Sequence, residues 1–204
     1  KSYHHGNLKQ ELIHCACRLC EENGYETLSM RSIAKESGVS QTAPYRHFDT
    51  KESLYAYVAM EGFKKLSAAT NIDISKKVTK DNMIKTGINY INFGLDNANT
   101  YDLMFGTAVG DFSSYPDLLD CANATYENMK LSFSKLSDDP DEIIAYKCIT
   151  LWSMLHGLVG ILRKVAVVDE LDPEQNDGPI KSASLIGDNL DMHLDKVLTG
   201  IIQS

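Results

Sequence analysis

The sequence predicts an all-α protein of two domains, an N-terminal three-helix helix-turn-helix domain over residues 1–65 and a second helical domain over 66–204. Three observations carry this. The stretch SMRSIAKESGVSQTAPYRHFDTK, Ser29 to Lys51, holds two short capped segments joined by a glycine turn. Elsewhere apolar residues recur at helical spacing, and no strand-like alternation or internal repeat stands out. A chain of 204 residues, 43% of them hydrophobic, buries a substantial core yet leaves room for at most two modest domains.

Charge and cysteine usage narrow the classes. The net charge of −8 argues against a general polyanion binder, but residues 1–65 hold nine Lys/Arg against eight Asp/Glu, so any nucleic-acid affinity must come from a local surface there. The five cysteines are odd in number, and Cys15, Cys17 and Cys20 crowd one helix, which speaks against a disulfide framework. No signal peptide precedes Lys1, which has the look of a trimmed start, and a reducing cytoplasm is the expected location.

Taken in order, Lys1 to Gly6 is a polar arm whose Lys1, His4 and His5 can reach toward a phosphate or a minor groove. Two adjacent histidines with no further ligand make no metal site. Helix one should start with Asn7 as cap and Gln10 as its reciprocal partner, then bury Leu12 or Ile13, Ala16, Leu19 and Cys20. A zinc site needs four converging ligands and residues two apart on a helix point to different faces, so Cys15, Cys17 and Cys20 read as small core filler rather than as metal ligands; no metal or cofactor is expected. Ser29 caps the next helix, which runs to Glu36 or Ser37 and ends at Gly38, where a left-handed backbone costs glycine little. Ser40 is a second cap, and Gln41 to Phe48 should form a helix of about two turns, with Pro44 inside the first turn. Ala34, Val39, Tyr45 and Phe48 are expected to clamp the pair while Gln41, Thr42, Arg46 and His47 point outward. A helix pair of this kind fits the DNA major groove.

Thr50 caps a further helix that begins at Lys51, faces Leu54, Tyr55, Val58 and Phe63 inward and runs toward residue 69. Its amino end suits a phosphate. After a polar stretch from Asn71 to Lys80, Ile84, Ile88, Ile91 and Leu95 form one helical stripe. Asn97 to Thr100 breaks it, Tyr101 to Gly106 reads as a short turn, and Pro116 opens a helix carrying Leu119, Ala122, Tyr126, Met129, Phe133 and Leu136. The helix from Asp141 to about Lys164 is nearly apolar all round from Cys148 to Leu162, a run too short for a membrane span and better buried on two sides, once against a partner. Past an acidic loop from Val168 to Pro179, one last helix should present Ile186, Leu190, Leu194, Val197 and Ile201.

The run GVSQTAPYRHFDTKESLYAYV resembles the DNA-binding domain of the TetR family of bacterial transcription regulators, through Tyr45, His47-Phe48 and Lys51 and, upstream, Asn23-Gly24-Tyr25, Thr27-Leu28 and Met30 to Ala34. Over about residues 8–65 the resemblance implies a DNA-binding domain, with 66–204 as effector-binding and dimerisation domain. It implies a homodimeric repressor on a palindromic operator in double-stranded DNA, released by a small-molecule effector, with no membrane partner. Gln41, Thr42 and Arg46 would then read bases, Tyr45, His47 and Lys51 would hold phosphates, and Ser29 and Ser40 would fix the two segments. Tyr101 to Gly106 and Trp152 to Gly157 also resemble a TetR subgroup with tryptophan, histidine and glycine in this spacing. Phe93, Met104, Phe105, Met129, Phe133, Trp152 and His156 are candidates to line a pocket for a hydrophobic effector, the alternative being that they are core and His156 a satisfied core histidine. Two other classes compete. A helical protein-interaction module leaves Tyr45, His47 and Lys51 unexplained. An enzyme lacks any recognisable nucleophile elbow, phosphate loop or metal motif.

Overall fold

A computed structural model describes residues 8–171 and 178–203. Among them lie nine α-helices, α1 Leu8–Asn23, α2 Met30–Glu36, α3 Lys51–Thr70, α4 Lys80–Asp96, α5 Ala98–Phe105, α6 Pro116–Ser134, α7 Asp141–Leu171, α8 Gly178–Gly187 and α9 Leu190–Gln203, and no strand. They fall into two compact units, Lys1–Lys65 with Asn97–Asn123, and Leu66–Asp96 with Ala124–Ser204. The expected arm and the Asn7 cap lie outside the described residues.

In the first unit, α1 buries Leu12, Ile13, Ala16 and Cys20 as its spacing dictates, with Leu19 only half-buried, and Leu54, Tyr55, Val58 and Phe63 of α3 face inward. Gln10 spends its amide on the His14 ring, Nε2 to Nε2 at 3.1 Å. The segment 98–105, expected as a turn, is the helix α5. Its free amides find a partner far along the chain: the Glu21 carboxylate accepts from the Asn99 and Thr100 amides at 3.3 and 3.1 Å and from Thr100 Oγ1 at 2.8 Å. An anion at the first turn satisfies the unpaired N–H groups and opposes the helix dipole. Close approach completes the seat, since a Cβ on Gly62 of α3 would lie 2.5 Å from Met104 Sδ. The Phe105 ring stacks near Phe63 and Tyr101, with centroids 5.4 and 4.7 Å away.

In the second unit, α4 packs on α7 and α9, and α7 also on α8 and α9. Gly87 brings α4 down onto Leu194 and Leu155. Lys147 is 4% exposed; its Nζ donates to Asp139 Oδ2 at 2.7 Å and to the Ile202 carbonyl at 3.0 Å, so one cation joins the turn before α7 to the end of α9. The Lys147 bond holds the Asp139 carboxyl below the usual range. The α6 stripe is shallower than expected, with Leu118, Ser132 and Phe133 buried and Leu136 beyond the helix end.

Two helix boundaries differ from expectation. α7 continues past Lys164 because Val165 to Val168 keep its apolar pattern. By length and composition alone, 141–168 could cross a bilayer, although Ile144, Leu151, Leu155 and Val159 are buried among neighbouring helices. α7 is buried along one face only; Ile149, Trp152, Ile161 and Val167 are exposed, and a Cβ on Gly157 or Gly160 would meet nothing within 4 Å. The expected last helix is two, because Asn189 turns its side-chain amide onto the Leu185 carbonyl at 3.0 Å and competes with the helical ladder after Gly187. Desolvation pushes three thiols up, half-buried Cys17 to about 11 and buried Cys20 and Cys148 to about 12 and about 11. All five cysteines are free.

Candidate nucleic-acid interface

Ser29 begins the site. Its Oγ accepts from the Ser32 amide at 3.0 Å and Ser32 Oγ accepts from the Ser29 amide at 2.9 Å, a reciprocal box that saturates both donors. Met30, Ile33 and Ala34 then anchor α2. Gly38 stops it at φ +67°, with its own amide on the Lys35 carbonyl at 3.2 Å and the Val39 amide on Ala34 at 3.0 Å. This pairing uses the last carbonyls and needs the left-handed glycine.

The segment after Ser40 is not the two-turn α-helix that its capping serine suggests. Pro44 stands four residues past Ser40, at the first amide that would bond back to the cap carbonyl, so it removes the bond that starts the ladder. The chain takes three-residue closures instead: the Ala43 amide meets the Ser40 carbonyl at 3.0 Å and the Arg46 amide meets Ala43 at 3.2 Å, with a 3₁₀ turn at Pro44–Arg46. Ser40 Oγ lies 3.2 Å from Thr42 Oγ1 and caps no helix.

This geometry changes which side chains face inward. Ala43, Pro44 and Phe48 are buried and Val39 is half-buried, while Tyr45, expected in the clamp, is 60% exposed. Tyr45 shares the surface with exposed Gln41, Thr42 and Arg46, and His47 is half-buried beside Phe48. A short polar and aromatic row thus stands on an apolar base.

Thr50 and Ser53 repeat the reciprocal cap at the start of α3, at 3.0 and 3.2 Å. Lys51 is exposed; its Nζ donates to the Glu26 carbonyl at 3.1 Å and lies 5.1 Å from the Tyr55 ring centre, while Tyr55 Oη donates to the Tyr25 carbonyl at 2.7 Å. Arg18 joins α1 to α2 through Glu36 at 2.7 Å, an exposed pair of small energetic weight. Lys9 was not singled out by sequence, yet its Nζ lies 2.5 Å from Tyr57 Oη and 4.1 Å above that ring. Only the helical face of Tyr57 hints at it.

The effector candidates divide between the units. Met104 and Phe105 belong to the first, and Phe93, Met129, Phe133, Trp152 and His156 to the second. Phe93, Met104 and Phe133 are buried. Trp152 Nε1 donates to Tyr90 Oη at 3.1 Å, and its ring lies 6.2 Å from that of His156, whose pKa burial lowers.

A helix capped by serine, stopped by a left-handed glycine and followed by an exposed polar turn is the architecture of a helix-turn-helix domain. Residues 12–58 match the family model of the bacterial regulatory proteins, tetR family. The HTH-type transcriptional regulator SAB2452 of Staphylococcus aureus (strain bovine RF122 / ET3-1) is 32% identical over 95 residues, 44% of this chain and 49% of the relative. The chain therefore spans about half that relative's length. The fold is similar to that of a Rhodococcus sp. RHA1 protein of unknown function, with TM-score 0.68, 20% identity and coverage of 96% of this chain and 99% of that one. It is also similar to a TetR variant from Acinetobacter baumannii AYE in complex with minocycline, with TM-score 0.64, 16% identity and coverage of 99% and 98%.

Proposed function

We propose that the protein is a sequence-specific DNA-binding transcriptional regulator, a homodimeric repressor released from a palindromic operator by a small effector. The observation that carries this is the row Gln41, Thr42, Tyr45 and Arg46, exposed on a base of Ala43, Pro44 and Phe48 inside a tetR-family domain. Gln41, Thr42 and Arg46 have the chemistry to read base edges, and Tyr45, His47 and Lys51 to hold phosphates. Ser29 and Ser40 sit at the starts of the two segments. Lys51, already on the Glu26 carbonyl, keeps spare N–H capacity for a phosphate.

The dimer reading draws on the exposed apolar face of α7 and on Leu185 of α8, 60% exposed. A cleft of about 500 Å³ between α7 and α8, lined by Leu158, Ile161, Ile180 and Ile186, adds apolar surface for a second copy. A DNA-reading cytoplasmic protein also accounts for five free thiols. The effector reading, and with it membership of the Trp-His-Gly subgroup, rests on Trp152 and His156 sharing one face of α7; that a protein of similar fold was solved in complex with minocycline supports a small-molecule ligand.

Selection of bound duplexes from a random library, followed by gel shifts, tests the proposal. A palindromic consensus is expected, and Arg46→Ala should lower specific affinity by about 1–3 kcal/mol and relax one position of the site. Failure to enrich any sequence over random DNA would leave a protein-interaction module as the better reading.

A further inference from the structure

A second cavity lies wholly within the first unit, about 320 Å³, next to the exposed row. Ala56, Tyr57 and Met60 of α3 form its floor, His47 and Asp49 one wall, and Tyr115 to Leu118 at the start of α6 the other. The second wall is tied down on its approach: the Gly110 amide donates to Glu52 Oε1 at 3.1 Å, the Ser113 amide to Asp111 Oδ1 at 2.9 Å, and the Phe112 ring packs on Phe63 with centroids 6.1 Å apart.

The charges of the lining have one sign. Asp49 and Asp117, both exposed, line the cavity, no Lys or Arg lines it, and among the described residues neither carboxylate has a hydrogen bond or an ion pair. Two cations of the same unit are engaged: Lys9 donates to Tyr57 Oη, and Lys64, which also feels Asp117, pairs with Glu61 at 2.8 Å. Lys9 over the Tyr57 ring shows that this aromatic face accepts an ammonium. A bare metal ion does not fit, because among the described residues no three His, Cys, Asp or Glu side chains converge as a metal centre needs. The remaining surface, Met60, Ala56, Leu118 and the Tyr115 ring, suits an apolar or aromatic body.

We propose that this cavity binds a small organic cation, its charged nitrogen between Asp49 and Asp117 and its body on Met60 and Tyr115, and that occupancy alters DNA affinity through His47. The regulatory half rests on the DNA-binding reading; the binding half does not. His47 and Asp49 directly follow the exposed row, so a ligand pressing on them acts at the reading surface without a relay. A ligand does this only if it prefers one conformation of that segment.

The test is calorimetric titration of the full chain with benzyltrimethylammonium, 1-naphthylmethylamine and, as anionic control, benzenesulfonate. At least one cation should bind saturably, with affinity falling at least tenfold in Asp117→Asn and in Asp49→Asn, each variant checked by thermal melting; the anion should not bind. Tyr115→Ala, which keeps both charges, should weaken the naphthyl probe more than the benzyl one. Absence of binding by both cations, or binding indifferent to both carboxylates, overturns the site. A gel shift on the selected operator with saturating cation should show at least a fivefold affinity change that Asp117→Asn abolishes. Binding with no such change overturns the coupling. If no operator is found, the DNA-binding reading fails and the titration still decides the site.

Discussion

Pro44 illustrates how one residue reshapes a surface. A proline has no N–H to give the Ser40 carbonyl a helical bond; that carbonyl accepts from the Ala43 amide instead, and Tyr45 stands on the solvent side. Pro44→Ala should therefore raise the helical far-ultraviolet signal of the free protein and change the operator consensus, because the exposed row would be re-aimed. No gain in helicity would place the cause elsewhere in the turn. His156 gives a second prediction at this scale. Burial lowers its pKa, so the folded chain resists a proton that the unfolded chain accepts near 6.5. Its contribution to stability is complete above that pH and is lost as pH falls through the folded value. Melting temperature should fall on acidification from about pH 7 to about pH 5, and His156→Gln should flatten that segment of the profile. The same slope in both proteins would assign the effect to other groups. The local rules at Ser29, Gly38 and Thr50 were legible because each involves neighbours within five residues. Pro44 is equally visible in the sequence, but a place inside the first turn does not by itself reveal that it falls on the first bonded amide.

At the scale of elements, sequence succeeded where periodicity governs and failed where a partner from elsewhere does. The inward faces of α1 and α3 follow from apolar spacing; of the expected α4 stripe Ile84 and Ile91 are buried, while Ile88 and Leu95 are only half-buried and Met83 and Tyr90 take the inward places. α5 does not, because its start is satisfied by Glu21, nearly eighty positions earlier. Glu21→Ala should remove that cap and cost about 1–3 kcal/mol, the range for leaving buried donors unpaired, with hydrogen exchange quickening first at the Asn99 and Thr100 amides. Unchanged protection there would mean that packing alone holds α5. Lys147 makes the corresponding case in the second unit. Losing its two charge-assisted bonds in Lys147→Ala should destabilise by about 2 kcal/mol, and in chemical denaturation the midpoint should fall without a change of slope.

For the whole molecule, the informative departure is the solvent-facing side of α7. A helix this apolar was expected to be buried on both sides, and in the single chain one side carries Ile149, Ile161 and Val167 in the open. Exposed apolar surface of this kind marks an interface. Gly160→Glu should convert a sedimenting dimer to monomers and abolish cooperative occupation of the two half-sites. A native chain that sediments as a monomer at micromolar concentration would remove the dimer from the proposal. Asn97–Asn123 joins the first unit through contacts that no local pattern announces.

The desolvated thiols have a practical corollary in the test tube. With Cys17 and Cys148 near 11 and Cys20 near 12, at most about one in a thousand of these groups is ionised at pH 8, and the thiolate is the form that attacks a maleimide. Cys15, half-buried on α1, should take up the reagent ahead of those three. A dye placed there would report from inside the first unit without any engineered cysteine.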